Sequence, residues 1–294
     1  MHKIVPSLWF DTEAREAVNF YISLFADSKI TWSTVIENTP SGTSEQFGFK
    51  LAGLDFVAIS AGPLFKLNPA ISLTVNCESS EEADALWGKL AEGGFPLMEL
   101  GQYPFAERFG WIQDRFGLSW QLTYTADAGE ITQKIQPSLM FINKQYGRAE
   151  EAINFYLDVF KNSETLALTR YPAGHPFEKE GTIMFSKQRF EDVQFLLNEN
   201  SSNHAFDFNE AFSFTIYCDT QEEIDYYWYK LTAVPESEVC GWLKDRFDVS
   251  WQIVPRELDE MLLTEDKAAK DRVVATFMKM KKLDIAALRQ AFKG

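Results

Sequence analysis

Gly110–Gln121 reads GWIQDRFGLSWQ, and Gly241–Gln252 reads GWLKDRFDVSWQ. Eight of these twelve positions are identical, which is far beyond coincidence and makes a duplication the first hypothesis for the fold. Working outward, Ala70–Leu90 (AISLTVNCESSEEADALWGKL) matches Ala211–Leu231 (AFSFTIYCDTQEEIDYYWYKL) at ten of twenty-one positions. Pro6-Ser7-Leu8-Trp9-Phe10 matches Pro137-Ser138-Leu139-Met140-Phe141, and Glu16-Ala17-Val18-Asn19-Phe20-Tyr21 matches Glu151-Ala152-Ile153-Asn154-Phe155-Tyr156. The offset between copies moves from 131 to 135 to 141 and back to 131, so small insertions interrupt a collinear repeat. Half one is expected over 1–125 and half two over 134–255. Residues 126–133 (ADAGEITQ) read as a linker, and 256–294 is a tail with no counterpart in the first half.

Within each half the periodicity predicts the same order of elements. Lys3–Phe10 is a short apolar run of strand type. Ala14, Ala17, Val18, Tyr21, Ile22 and Phe25 recur at helical spacing across Thr12–Ala26. Strand-like runs follow near Ile30–Glu37, Gln46–Leu51, Phe56–Ala61 and Ala70–Val75, separated by glycine and proline turns. Ser79 or Ser80 caps a helix over Glu81–Leu90, whose early acidic residues suit the helix dipole. Further strands are expected near Phe109–Gln113 and Ser119–Tyr124. In the tail, Val273, Val274, Phe277, Met278 and Met280 predict two or three short helices packed on the main body.

Composition narrows the function classes without naming a reaction. The chain has 294 residues, 46% of them hydrophobic, and 25 phenylalanines, enough for a large core. Its formal charge of −15 repels phosphate backbones and anionic lipid surfaces, which argues against nucleic-acid and membrane partners. Three cysteines are too few for a disulfide scaffold, and a cytoplasmic location is expected. The sequence offers no phosphate loop of the Gly-x-x-x-x-Gly-Lys kind, no Gly-x-Ser-x-Gly elbow and no Cys-x-x-Cys pair. Cys77 and Cys218 occupy equivalent repeat positions, as buried structural residues would.

The run P-S-L-W-F followed by E-A-x-x-F-Y resembles the opening of a glyoxalase/bleomycin-resistance domain of the vicinal oxygen chelate superfamily. The run S-L-T-V-N-C-x-S-x-E-E-A-D-x-L-W-x-K-L, then G-W-x-x-D-R-F-G-x-S-W-Q, resembles its PhnB-like branch, which also carries the label 3-demethylubiquinone-9 3-methyltransferase. The segment Met280–Leu288 is similar to the end of that branch. The resemblance implies an α+β fold of tandem glyoxalase-like domains, with helices after them. Each domain would comprise two βαβββ modules around one curved eight-stranded sheet, and the chain would be an intrachain pseudo-dimer.

Catalytic members of that superfamily hold a divalent metal that binds substrate oxygens as a Lewis acid. The resemblance places their ligands at Pro6 and Pro137, at Ala70 and Ala211, and at Gln121 and Gln252. Proline and alanine cannot ligate, and an amide oxygen is a weak ligand alone, so no metal or other cofactor is expected. His2, His175 and His204 fall at the terminus or in polar loops. Methyl transfer is not expected either, because no Gly-x-Gly-x-Gly strand–loop–helix is present. Strand alternation then puts Gln121, Ser72, Thr74 and Phe10 into one cup, with Gln252, Ser213, Thr215 and Phe141 as counterparts. By the same rule Pro6, Leu8 and Phe10 share the inward face, and Trp120 points outward. Asp114-Arg115-Phe116 and Asp245-Arg246-Phe247 read as turn ion pairs. Three functional readings stay open: a metal-free protein binding a small neutral or aromatic molecule in the cups, a divalent-metal lyase or dioxygenase using unusual ligands, and a scaffold whose interface is the acidic surface or the tail, with the cups filled as core. Whether the protein is an enzyme is not decided by the sequence.

Overall fold

The computed structural model describes residues 1–39, 41–126 and 129–294; positions 127 and 128 of the expected linker lie outside the described residues. The first half runs β1 (Ile4–Phe10), α1 (Ala14–Leu24), β2 (Lys29–Thr39), β3 (Gly42–Leu51), β4 (Leu54–Ser60), β5 (Ile71–Asn76), α2 (Ser80–Leu90), β6 (Phe95–Tyr103), β7 (Ala106–Gln113) and β8 (Ser119–Tyr124). The second runs β9 (Ile135–Phe141), α3 (Ala149–Val159), β10 (Glu164–Arg170), β11 (Ile183–Phe190), β12 (Val193–Glu199), β13 (Phe212–Cys218), α4 (Gln221–Leu231), β14 (Trp242–Lys244) and β15 (Ser250–Pro255). The tail supplies α5 (Arg256–Leu262), α6 (Lys267–Phe277) and α7 (Ile285–Lys293).

Local chemistry repeats with the sequence. In α1 the buried residues are Ala14, Ala17, Val18, Tyr21 and Leu24, one stripe at helical spacing. Ser79 caps α2 by accepting from the Glu82 N–H at 3.2 Å, while the Glu82 carboxylate reaches back to the Glu78 N–H at 2.6 Å. Thr220 and Glu223 make the same reciprocal pair at the start of α4.

The strands form two mixed sheets, as the resemblance implies, but their membership is crossed. The first sheet has the order β14-β15-β13-β1-β4-β3-β2, and the second β10-β11-β12-β9-β5-β8-β7-β6. Each sheet therefore joins the first module of one half to the second module of the other, instead of closing one sheet per half. The seams are antiparallel and equivalent: Ser7 faces Ser213 between β1 and β13, and Ser72 faces Ser138 between β5 and β9. The first sheet has seven strands because half two lacks a partner for β6. There the repeat is ten residues shorter, and Pro235 opens a 3-10 turn where a strand would need its N–H.

Helices α1 to α4 cover the outer faces over a continuous core of Leu, Ile, Phe and Trp side chains. The tail forms a separate apolar cluster, in which Leu258, Met261, Leu262, Val273, Val274, Leu283 and Leu288 close around Ile36 of β2. The Thr34 hydroxyl also donates to the Leu262 carbonyl at 3.0 Å, so the tail is tied to the first sheet. Among the described residues, no helix is long and apolar enough to cross a membrane.

Candidate functional site

The inner face of the first sheet, roofed by the tail, encloses a cavity of about 420 Å³. Strand alternation selects its walls. Trp9 comes from β1, Val57 and Ile59 from β4, Thr215 and Tyr217 from β13, and Ser250, Gln252 and Val254 from β15. Trp32 and Ile36 of β2 and Ser44 and Gln46 of β3 form the far wall. Leu258, Asp259 and Leu262 of α5, with Phe277 and Met278 behind them, make the roof. Exposed Leu64, Glu236 and Val239 mark the mouth.

Specific hydrogen bonds fix the walls. Gln252 Nε2 donates to Ser213 Oγ at 3.0 Å, and Ser7 Oγ meets Thr215 Oγ1 at 2.8 Å across the seam. The Trp9 indole donates to the Gly62 carbonyl at 2.7 Å and packs edge-on against Phe65 and Trp242. The Trp32 ring lies over Gly48: a Cβ there would sit 2.1 Å from Trp32 Nε1, so glycine is required by close approach.

The cup of the second sheet carries the matching set. Gln121 Nε2 donates to Ser72 Oγ at 2.7 Å, and Thr74, facing Gln121 and Gln136 in register, is buried. Ser138 and Gln136 continue that face, and Lys187, paired with Leu196, joins it from β11. Burial lowers the Lys187 pKa. No tail helix covers this cup, and β10 and β11 leave Leu166, Met184 and Phe185 exposed.

Several sequence expectations need correction. Phe10 and Phe141 do not face the cups. Phe10 packs against Phe116 and Phe141 against Phe208 and Phe247, all in the core under the helices. Along β1 it is Val5, Ser7 and Trp9 that face inward, while Pro6 pairs with Phe214 on the helix side. A one-residue error in phase exchanges the two faces of a strand, and here both faces are largely apolar, so periodicity could not set the phase. Trp120 does face the helices, against Tyr21 and Phe25. The two Asp-Arg-Phe turns are not ion pairs. Asp114 turns inward and accepts from Phe116 N, Leu118 N and Trp120 Nε1 at 2.8 to 3.1 Å. Arg115 instead lies over the Phe20 ring at 4.3 Å, and Arg246 over Phe155 at 4.4 Å.

The histidines are not simply solvated. His2 Nδ1 meets Asp55 Oδ2 at 2.7 Å. His204 meets Asn200 at 2.9 Å and is held below its usual pKa by burial. The His175 ring accepts from the Glu178 N–H at 3.0 Å. Burial pushes the Cys77 and Cys218 thiols up to about 12, which leaves them protonated and unreactive. Sequence reasoning missed the feature that distinguishes the first cavity, the Asp259 carboxyl. Burial is the main influence on it and raises its pKa to about 6, partly opposed by Tyr217 and Arg256. Nothing local in RELDEML marks Asp259 as a site residue, because only docking of the tail brings it there.

A metal fits this donor set poorly. Among the described residues no three His, Cys, Asp or Glu side chains are grouped to hold an ion. The Gln121 and Gln252 side chains donate through Nε2 to serines, and a neutral amide oxygen alone is a weak ligand.

With fold and cavity in view, comparison places the chain. Residues 2–123 and again 133–254 match the family described as 3-demethylubiquinone-9 3-methyltransferase. The chain belongs to that family. A putative 3-demethylubiquinone-9 3-methyltransferase, PhnB protein, from Bacillus cereus is 43% identical, with 42% of this chain matching 100% of that one at a TM-score of 0.40. A protein from Staphylococcus aureus is 33% identical over 42% of this chain and 97% of its own, at a TM-score of 0.18. Such single-repeat relatives correspond to one half of this chain. Glyoxalase I from Zea mays shares the fold across both halves: 12% identity, 90% of this chain, 96% of that chain and a TM-score of 0.55. No curated protein matches the chain.

Proposed function

We propose that this member of the family binds a small molecule in the roofed cavity of the first sheet and does so without a metal. The observation that carries the reading is the cavity itself. It is concave and built on rigid strands, with Trp9, Trp32, Phe65 and Trp242 as apolar wall and a few converging polar groups, the usual make-up of a small-molecule site. That no three His, Cys, Asp or Glu side chains cluster among the described residues supports the metal-free part of the proposal. The family's description names a methyl transfer, but this chain has no glycine-rich strand–loop–helix for the methyl donor, and binding is the activity its residues support.

The test is a thermal-shift screen of small aromatic and apolar compounds, followed by calorimetric titration of the hits. Specific binding that is weakened at least tenfold by Gln252→Leu or Trp9→Ala is the expected result. A cavity that responds to no compound would overturn the proposal. The competing reading, a divalent-metal lyase or dioxygenase, separates on elemental analysis: stoichiometric metal in protein purified from zinc-, nickel- and manganese-supplemented growth would favour it.

A further inference from the structure

The polar atoms on the cavity wall specify the charge of what enters it. Among the described residues, seven buried side-chain polar atoms lack a hydrogen-bond partner, and three belong to residues that line this cavity, Trp32 Nε1, Ser44 Oγ and Asp259 Oδ2, although these particular atoms are turned away from its space. The lining contains three carboxylates, Glu210, Glu236 and Asp259, and no lysine or arginine. Glu210 is already paired with Lys244 at 2.9 Å. Glu236 lies at the exposed mouth. Among the described residues Asp259 has no cation within ion-pair distance, and Arg256, one turn earlier on α5, is paired with Asp219 at 3.1 Å. The Tyr217 hydroxyl lies beside the carboxyl and opposes the effect of burial on it, Arg256 and Glu260 are the other charged groups that act on it, and Cys240 lines the same cavity. The lining also includes Trp9, with Phe65 and Trp242 packed edge-on against it, and aromatic rings attract positive charge through their quadrupoles.

Resting on the small-molecule reading above, we propose that the ligand is a protonated amine on an aromatic or apolar body, its N–H groups donating to the Asp259 carboxyl. The tail thus supplies the specificity-determining group, and the sheet supplies the shape. An aromatic cation supplies the counter-charge that the Asp259 carboxylate lacks, whereas a neutral apolar ligand leaves it unpaired and an anion adds repulsion.

Calorimetric titration at pH 7.5 with three matched probes tests this: 2-naphthylmethylamine, 2-naphthylmethanol and 2-naphthoate. The expected result is binding of the amine at least tenfold tighter than the alcohol, with the carboxylate weakest. In Asp259→Asn, which keeps the shape and removes the charge, the amine should fall to within threefold of the alcohol, and the alcohol itself should change less than threefold. A second measurement needs no variant: the amine preference of the unmodified protein should fade as pH drops below about 6, where burial leaves Asp259 protonated. Alcohol binding equal to or tighter than amine, or an amine preference that survives Asp259→Asn, overturns the charge assignment and leaves the binding reading standing. Failure of all three probes to bind overturns both.

Discussion

Asp245 accepts from Phe247 N, Val249 N, Trp251 Nε1 and the Tyr156 hydroxyl, at 2.7 to 3.1 Å, and it is fully buried. The aspartate ties a turn, a strand and helix α3 together. Removing it orphans four buried donors, and Asp245→Ala should cost about 2–4 kcal/mol in chemical denaturation. Asp114→Ala should cost less, since the Tyr21 hydroxyl makes no hydrogen bond there. Equal losses at both sites would contradict this account. Gly48→Ala sets a Cβ against the Trp32 indole and must displace it, so a stability loss of about 1–3 kcal/mol and a shift in tryptophan emission are expected. Unchanged emission would show that the ring does not pack as described. The Asp-Arg-Phe turns were legible as structural motifs, and the charge partner was not: adjacent residues in a turn point apart, so sequence proximity misassigned it.

At the level of elements, β1 is held at its start by Asp55, which draws in His2, Lys50 and the terminal amine. Burial alone would raise the Asp55 pKa, but His2 and Lys50 outweigh it and hold the carboxyl at about 2. Because the folded value lies below the unfolded one, the stabilisation is present above about pH 4 and is lost as pH falls through about 2. The protein should lose about 1 kcal/mol more than Asp55→Asn between pH 4 and pH 2 in urea titrations, a modest figure because the pair is partly solvated. The tail matters more for function. Deleting 256–294 would expose Ile36 and unroof the cavity, so increased binding of an apolar dye and loss of amine binding are expected together. Its amphipathic spacing was readable from Val273, Val274 and Phe277. The surface it covers was not, because an apolar stripe does not name its partner.

The whole molecule is organised by exchange between halves. Each sheet depends on both, since β1 needs β13 and β5 needs β9. The first half alone (1–125) would leave the edges of β1 and β5 unpaired and should dimerise by pairing with a second copy, as measured by light scattering with size-exclusion chromatography. A stable folded monomer would argue against dependence on the exchange. The cups have also diverged: one is roofed and holds an unpartnered carboxylate, the other is open and turns Lys187 inward.

The sequence by itself determined the duplication, the element order, the family and the cup-facing glutamines, since these rest on identity and local periodicity. It placed the family's ligand positions at Pro6, Ala70 and their counterparts, but Pro6 lies on the helix side of β1, so the first-strand position shifted with the phase of the strand. Only the tertiary structure decided which modules share a sheet. The two copies offer each seam near-identical partners, so local chemistry cannot choose between them and closure of the whole chain does. The phase of β1 was likewise settled by packing, because both of its faces are largely apolar. The placement of Asp259 in the cavity follows from docking of the tail, a long-range contact that no residue of α5 encodes alone.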